Sequence, residues 1–254
     1  MKVLVTDGDT RAALAVTRSL GRAGHEVVVG ATSDRCLAKA SRYCRHAVTY
    51  PHPAAAPDAF VDWAVGAVGD LGIEAVVPIS DITTFLITEH RTLLGPGCAV
   101  PFAEAAVVAR AADKVGLMRT AERLGVPVPR SLIVTSADRL PADGLEFPLV
   151  VKPWRSRIRT AAGWESTAVS HATNQDQLVR DLAARGAHEF PVMLQEKIVG
   201  PGMGVFACVH DGRPVALFSH RRLRERPPWG GVSVLAESAP VTSPAREYAI
   251  DLLR

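Results

Sequence analysis

Apolar residues in the first third of the chain follow two rhythms. Val3-Leu4-Val5, Val27-Val28-Val29 and Ala75-Val76-Val77 are short unbroken runs, which predict strands over Lys2–Thr6, Glu26–Gly30 and Glu74–Pro78. Between them the spacing is helical. Ala13, Val16 and Leu20 share one face of a helix over Arg11–Gly24, with Gly24 as its stop. Phe60, Trp63, Ala64 and Ala67 do the same over Pro57–Leu71, after a loop over 51–57 containing three Pro and three Ala. Strands apolar along their whole length, alternating with helices, predict a parallel sheet covered on both faces. Residues 1–105 therefore read as a Rossmann-like α/β domain.

The pattern changes after Gly95-Pro96-Gly97. An Ala/Val-rich helix is expected over Ala103–Ala112. A second opens at Asp113-Lys114, with Leu117, Met118, Ala121 and Leu124 on one face, and ends at Gly125 before Pro127 and Pro129. Strands are expected over Phe147–Pro153 and Val192–Ile198, with a helix over Asn174–Arg185 between them. Gly204–Val209 and Pro214–Ser219 flank His210-Asp211-Gly212-Arg213, which reads as a hairpin turn. Tyr248–Arg254 reads as part of a helix. This second region is α+β with antiparallel strands, so the chain as a whole combines α/β and α+β parts.

Composition narrows the classes without selecting one. At 254 residues, 48% hydrophobic and 22% charged, the chain is of ordinary globular type and long enough for one to two domains. No apolar run reaches the length of a membrane span, and the short apolar start lacks a signal-peptide cleavage site, so a cytoplasmic protein with no membrane partner is expected. The net charge of +3 gives no footprint for nucleic acid beyond the short Arg221–Arg226 run. Cys36, Cys44, Cys98 and Cys208 match no metal spacing and are expected as reduced thiols. Only five of the 29 basic residues are Lys, which draws attention to where they fall. The first strand–helix turn, Thr6-Asp7-Gly8-Asp9-Thr10-Arg11, lacks GxGxxG. Its two acids would repel a pyrophosphate, so it reads as a turn and helix cap rather than a dinucleotide site.

Four segments carry candidate chemistry. Asp113-Lys114 opens a helix. Leu149-Val150-Val151-Lys152-Pro153 puts a Lys at the end of a buried strand, where it must reach solvent or an anion. Leu194–Gly202 is a strand running into a Gly-rich turn, and His220–Gly231 is an Arg-rich run ending in Pro and Gly. Singly, each also fits a surface charge or a solvated face. In this order and spacing they resemble the ATP-grasp superfamily over essentially the whole chain, most of all the proteins similar to the carbamoyl phosphate synthase large subunit and the carboxylate–amine ligases.

The resemblance implies a Rossmann-like pre-ATP-grasp domain over 1–105, which includes Pro78-Ile79-Ser80-Asp81. A first ATP-grasp subdomain would cover 106–190, and the incomplete start of a second 191–254. It implies that Lys114 and Lys152 hold the ATP phosphates, and that Glu196, Lys197, Ile198 and Val199 form the hinge against the adenine. His220, Arg222 and Arg224 would lie near the phosphates and an acyl intermediate, with Gly230-Gly231-Val232-Ser233 as a loop above them. It implies ATP and Mg²⁺ as cofactors, with the metal ligands beyond residue 254, and a small carboxylate as substrate. Oligomeric state is left open, a homodimer being one option. Two segments depart from the family pattern. The stretch after Lys152 is Gly-poor, with Arg155, Arg157 and Arg159 as groups that could still meet phosphate, and Gly200–Gly204 has no acid to hold a ribose. The resemblance implies ligase chemistry through an acyl phosphate. The alternative is a catalytically incomplete fragment or a non-catalytic nucleotide-binding protein.

Overall fold

The computed structural model describes residues 1–140, 144–161, 163–228 and 230–253. In chain order its elements are β1 (Lys2–Val5), α1 (Arg11–Arg22), β2 (Glu26–Ala31), β3 (Cys44–Thr49), α2 (Pro57–Leu71), β4 (Ala75–Val77), α3 (Asp81–Glu89) and α4 (Ala105–Ala112). There follow α5 (Lys114–Arg123), β5 (Ser131–Val134), β6 (Leu149–Pro153), β7 (Arg157–Thr160), β8 (Gly163–Ser166), β9 (Ser170–Ala172) and α6 (Gln175–Ala183). The last are β10 (Val192–Glu196), β11 (Met203–His210), β12 (Arg213–Arg226), β13 (Val232–Ala239) and α7 (Ala245–Leu253). Two compact units contain them. One holds Met1–Asp113, Arg155–Ala168 and Gly186–Glu189, and the other holds the rest.

In the first unit the strands form a parallel sheet in the order β3-β2-β1-β4. Alternation along each strand divides the apolar runs between two cores. Leu4, Val28 and Val76 face Phe60, Leu86 and Ile87 on one side, while Val3, Val5, Val27 and Val29 pack with Ala13 on the other. Both faces are thus covered, as the unbroken apolar runs require. Two elements escape the sequence pattern. β3 is an edge strand of mostly exposed residues, and α3 opens on Asp81-Ile82-Thr83-Thr84, whose β-branched and polar residues are weak helix signals.

What starts α3 is a polar knot. Ser80 is its N-cap in a reciprocal capping box with Thr83. The Asp7 carboxylate at the end of β1 accepts from Ser80 N (3.0 Å), Ser80 Oγ (3.0 Å), Ile79 N (3.3 Å) and Thr83 Oγ1 (2.6 Å). A negative charge there also complements the positive end of the helix. Asp7 holds a left-handed backbone (φ 56°), and its N–H donates to Tyr50 Oη (2.8 Å). Burial, with Asp7 beside it, pushes the Tyr50 hydroxyl well above its ordinary value. The cap of α1 is Thr10, whose Oγ1 accepts from Ala13 N, rather than either acid of the turn.

The β7–β8 hairpin also belongs to the first unit. The Trp164 ring stacks on Phe85 at 5.6 Å, and the Trp164 backbone N–H donates to Ala54 O. The Arg155 guanidinium lies over the same Phe85 ring, and Arg159 pairs with Asp58 and Glu89. A Cβ at Gly163 (φ 119°) would sit 2.7 Å from Ala54 O, so only glycine lets the hairpin approach this closely.

In the second unit an antiparallel sheet runs β5-β10-β6-β9. Leu149, Val151, Val192 and Leu194 bury one face against Leu178 and Leu182 of α6. A three-stranded antiparallel sheet, β11-β12-β13, carries α7 against β11. Asp211 (φ 48°) and Gly212 (φ 70°) make the two-residue turn that joins β11 to β12. Val232 and Ser233 belong to β13, paired with Arg226 and Glu225, and are therefore strand rather than a loop.

Asp7→Ala removes the acceptor for the start of α3. It should lower stability by about 1–3 kcal/mol, while Asp9→Ala, exposed one turn away, stays within about 0.5 kcal/mol. Urea unfolding followed by circular dichroism checks both.

Candidate functional site

The alternation that buries Leu149, Val151 and Pro153 sends Val150 and Lys152 to the opposite face of the sheet. On that face lies a cavity of about 780 Å³ within the second unit, a size suited to a cofactor or small substrate. Its floor is Val150, Lys152, His171 and Gln195. Its rim is the Glu196–Ile198 and Gly200–Gly202 segment, and Arg222 and Glu225 of β12, with Gly231 just before β13, close it.

Lys152 is half-buried, and burial holds its ammonium below the ordinary lysine value. Its Nζ donates to Gln195 Oε1 at 2.6 Å, and Gln195 Nε2 donates to Ser131 Oγ at 2.9 Å. Gln195 is only 4% exposed. Lys152 has no carboxylate partner among the described residues, so it presents a desolvated positive charge to the cavity. His171, on β9 opposite Val150, is held below the usual imidazole value by burial and by Lys197 and Lys152. An anion in the cavity would favour the charged forms of both Lys152 and His171.

The segment after β10 has the backbone of a recognition edge. Glu196 N donates to Arg130 O, and the Glu196 carboxylate accepts from Arg130 N and Nε, which holds it below the usual carboxylate range. Arg130 is also paired with Glu146. Beyond Glu196 no described hydrogen bond engages the backbone of Lys197, Ile198 or Val199. Ile198 and Val199 are 65% and 89% exposed. Free N–H and C=O groups beside apolar side chains suit a planar heterocycle with polar edges.

The structure brings together Lys152, Glu196, Lys197, Ile198 and Arg222 around the cavity, and leaves Lys114, Val199, His220 and Arg224 outside its lining. Lys114 is the first residue of α5, and its N–H donates to Trp154 O, two residues beyond Lys152. His220 lies on β12 among Phe206 and Phe218. Irregularities in the β12–β13 ladder between Arg222 and Glu225 break the alternation. Glu225, rather than Arg224, therefore follows Arg222 into the cavity wall. There it accepts from Arg222 Nη1 (3.2 Å) and Gly231 N (3.2 Å). Period-two counting along His220-Arg221-Arg222-Leu223-Arg224 cannot foresee this. Gln195 did leave a signal: it is a polar residue directly after the apolar Val192-Met193-Leu194 run. Arg155 and Arg159 are engaged within the first unit, as described above.

Among the described residues no group of three or more His, Cys, Asp or Glu could hold a metal ion. No helix is long and apolar enough to cross a membrane.

This combination of a parallel sheet with antiparallel sheets is a fold shared with several solved structures. An L-amino acid ligase from Bacillus licheniformis superposes with a TM-score of 0.71 at 12% identity, over 99% of this chain and 59% of the ligase. A biotin carboxylase from Campylobacter jejuni, solved as a complex with β-γ-ATP, gives 0.69 at 13% identity, over 99% and 58%. The biotin carboxylase domain of 2-oxoglutarate carboxylase from Hydrogenobacter thermophilus, solved with MgADP and bicarbonate, gives 0.64 at 18% identity, over 99% and 56%. At these identities the likeness is one of fold. The chain spans under three fifths of the length of these proteins. No family model and no curated protein matches the sequence.

Gln195→Leu leaves the Lys152 ammonium and Ser131 without their partner and should cost about 1–3 kcal/mol of stability. Glu196→Gln, which weakens a solvent-exposed ion pair, should cost less. Thermal melts of the two variants against the parent decide the order.

Proposed function

We propose that this chain binds ATP in the Lys152 cavity and supplies the nucleotide-binding part of an ATP-dependent carboxylate–amine or carboxylate–thiol ligase. The observation that carries the proposal is a half-buried ammonium, with no carboxylate partner among the described residues, facing a cavity whose rim includes Lys197 and Ile198, where no described hydrogen bond engages the backbone. The adenine edge would bond that backbone and pack on Ile198 and Val199. Lys152 and Lys114 would flank the phosphates, Lys114 from the N-terminal end of α5, where anions are favoured. Residues 1–105 would be the pre-ATP-grasp, Rossmann-like domain, 106–190 the first ATP-grasp subdomain and 191–254 the start of the second. The protein would be cytoplasmic.

In the chemistry so proposed, a substrate carboxylate oxygen attacks the γ-phosphorus. The bond from that phosphorus to the β,γ-bridging oxygen breaks, leaving ADP and an acyl phosphate. An amine nitrogen then attacks the acyl carbon and gives up a proton, and the carbon–oxygen bond to phosphate breaks to release inorganic phosphate. A thiol would react in the same way. Positive groups fixed where charge accumulates lower both barriers, and this is the role assigned to Lys152, Lys114 and Arg222, with His220 and Arg224 beside them. Magnesium bound between ATP phosphates would neutralise charge there. The described residues offer it no cluster of ligands, so no step passes through it here. For the same reason, nucleotide binding without turnover by this chain alone is the second reading.

Calorimetric titration with ADP tests the proposal. The parent should bind, and Lys114→Ala/Lys152→Ala should bind at least tenfold more weakly. Equal affinities sink the assignment. The pH profile supplies an independent check. Bound phosphate favours charged Lys152, and burial lowers the pH at which the free group loses its proton. Affinity should therefore begin to fall below the ordinary lysine value of 10.5, with proton uptake on binding. Lys152→Arg should remove this limb, since arginine keeps its proton throughout.

A further inference from the structure

The first unit carries a cavity of its own, of about 560 Å³, lined by Arg18, Arg22, Ala40, Ser41, Arg42 and Tyr43. Its place follows from the topology. α1 leaves the C-terminal end of β1 and returns to the start of β2, so its last turn lies at the N-terminal end of the parallel strands. Residues 40–43 come just before β3 and lie at the same end. The Asp7 knot is at the opposite end, where β1 finishes. The cavity is thus remote from the strand ends at which open α/β sheets usually hold their ligands.

Three of the six lining residues are arginine and none is acidic. Arg18 and Arg22 stand one turn apart on α1, a spacing at which like charges repel. Arg22 lies in the last turn, where its charge complements the carbonyl end of the helix. That effect fades within a turn, so it does little for Arg18. Among the described residues none of the three has a carboxylate partner, whereas Arg91, Arg130, Arg159, Arg185 and Arg221 all do. Glu26, the first acid after α1, is paired with Lys2 at 3.3 Å.

The cavity wall is built to hold one of these charges in place. A Cβ at Gly21 would stand 2.4 Å from Tyr43 Cβ and 2.5 Å from its Cγ. Glycine weakens a helix interior, and here it admits the Tyr43 side chain onto α1. The Tyr43 N–H donates to the Oγ of buried Ser41 at 3.3 Å. The Arg42 guanidinium then lies over the Tyr43 ring, 4.9 Å from its centroid, and Arg42 Nη2 donates to Tyr43 Oη at 2.9 Å. Ring and hydroxyl are both neutral. They orient the guanidinium without cancelling its charge, and most of its N–H donors remain for a ligand.

We infer that this cavity binds a compact polyanion with two or more phosphate groups, such as pyrophosphate or a small bisphosphate ester. Guanidinium forks match pairs of phosphate oxygens. Three guanidinium charges exceed the roughly −1.5 to −2 that a single phosphate group carries near neutral pH, so a second phosphate is needed to balance them. The volume falls in the range of small-molecule sites. A nucleic-acid backbone would call for a longer basic strip, and the chain as a whole carries only +3. The site shares no residue with the Lys152 cavity and does not rest on the nucleotide reading.

Calorimetric titration with inorganic pyrophosphate tests the inference. It is run on Lys114→Ala/Lys152→Ala protein, so that the proposed nucleotide site does not contribute, and repeated on the parent. Pyrophosphate should bind at least tenfold more tightly than orthophosphate, and acetate should not bind. Arg18→Gln/Arg42→Gln should weaken pyrophosphate at least tenfold in both backgrounds. Both side chains are exposed, so the ligand-free thermal midpoint should not move. Arg18→Lys/Arg42→Lys, which keeps the charge and loses the fork, should fall between. Tyr43→Phe removes the acceptor that orients Arg42 and should weaken binding about threefold. Absent pyrophosphate binding overturns the inference, as does equal binding by the Gln variant and its own background. A single-stranded oligonucleotide held more tightly than pyrophosphate through these arginines also overturns it, since the surface would then be a nucleic-acid contact.

Discussion

The antiparallel pairing of β6 with β10 is the constraint on which the site depends. Both strands carry apolar residues that α6 must cover, and side chains alternate strictly along a strand. Burying Leu149, Val151 and Leu194 on one side leaves Lys152 and Gln195 nowhere to go but the other. The core therefore positions the cation. A one-residue slip in this register would move Lys152 into the α6 interface, where no partner could offset its desolvation.

The neutral partner is as informative as the cation. Gln195 accepts from Lys152 and donates to Ser131, so its amide is used at both ends and its orientation is fixed. An amide satisfies one ammonium donor without neutralising the charge. A carboxylate at that position would have closed the site to anions. In a half-buried setting the remaining field acts through fewer intervening waters, so a phosphate meets a stronger attraction than it would at the surface. By contrast, Glu196 spends its carboxylate on Arg130, and no described hydrogen bond engages the backbone of the following three residues.

The same alternation governs the first unit, where the β1, β2 and β4 runs divide between two cores. There the polar weight falls on Asp7. Its left-handed backbone is maintained because five donors, from Thr6, Ile79, Ser80 and Thr83, converge on one carboxylate. The Gly-poor stretch after Lys152 is a hairpin packed by Trp164, Arg155 and Arg159 against residues of this unit. Its arginines have specific structural partners there, which their sequence alone did not disclose.

Much of the architecture was legible in the residues. Unbroken Val runs marked the parallel strands, Asp211-Gly212 marked the hairpin, and Lys152 at the end of an apolar strand marked the cavity floor. Local pattern carried these features because burial and turn geometry act within a few residues. Other features came only from the tertiary structure. α3 is set by Asp7, which lies more than 70 residues earlier. The partner of Lys152 lies 43 residues later. The ladder irregularity that brings Glu225 inward in place of Arg224 depends on how β13 pairs with β12. The sequence alone determined which residues had to be buried and which charges would be exceptional. The fold decided what stands opposite each of them, because contacts between distant segments are specified by packing and register rather than by local periodicity.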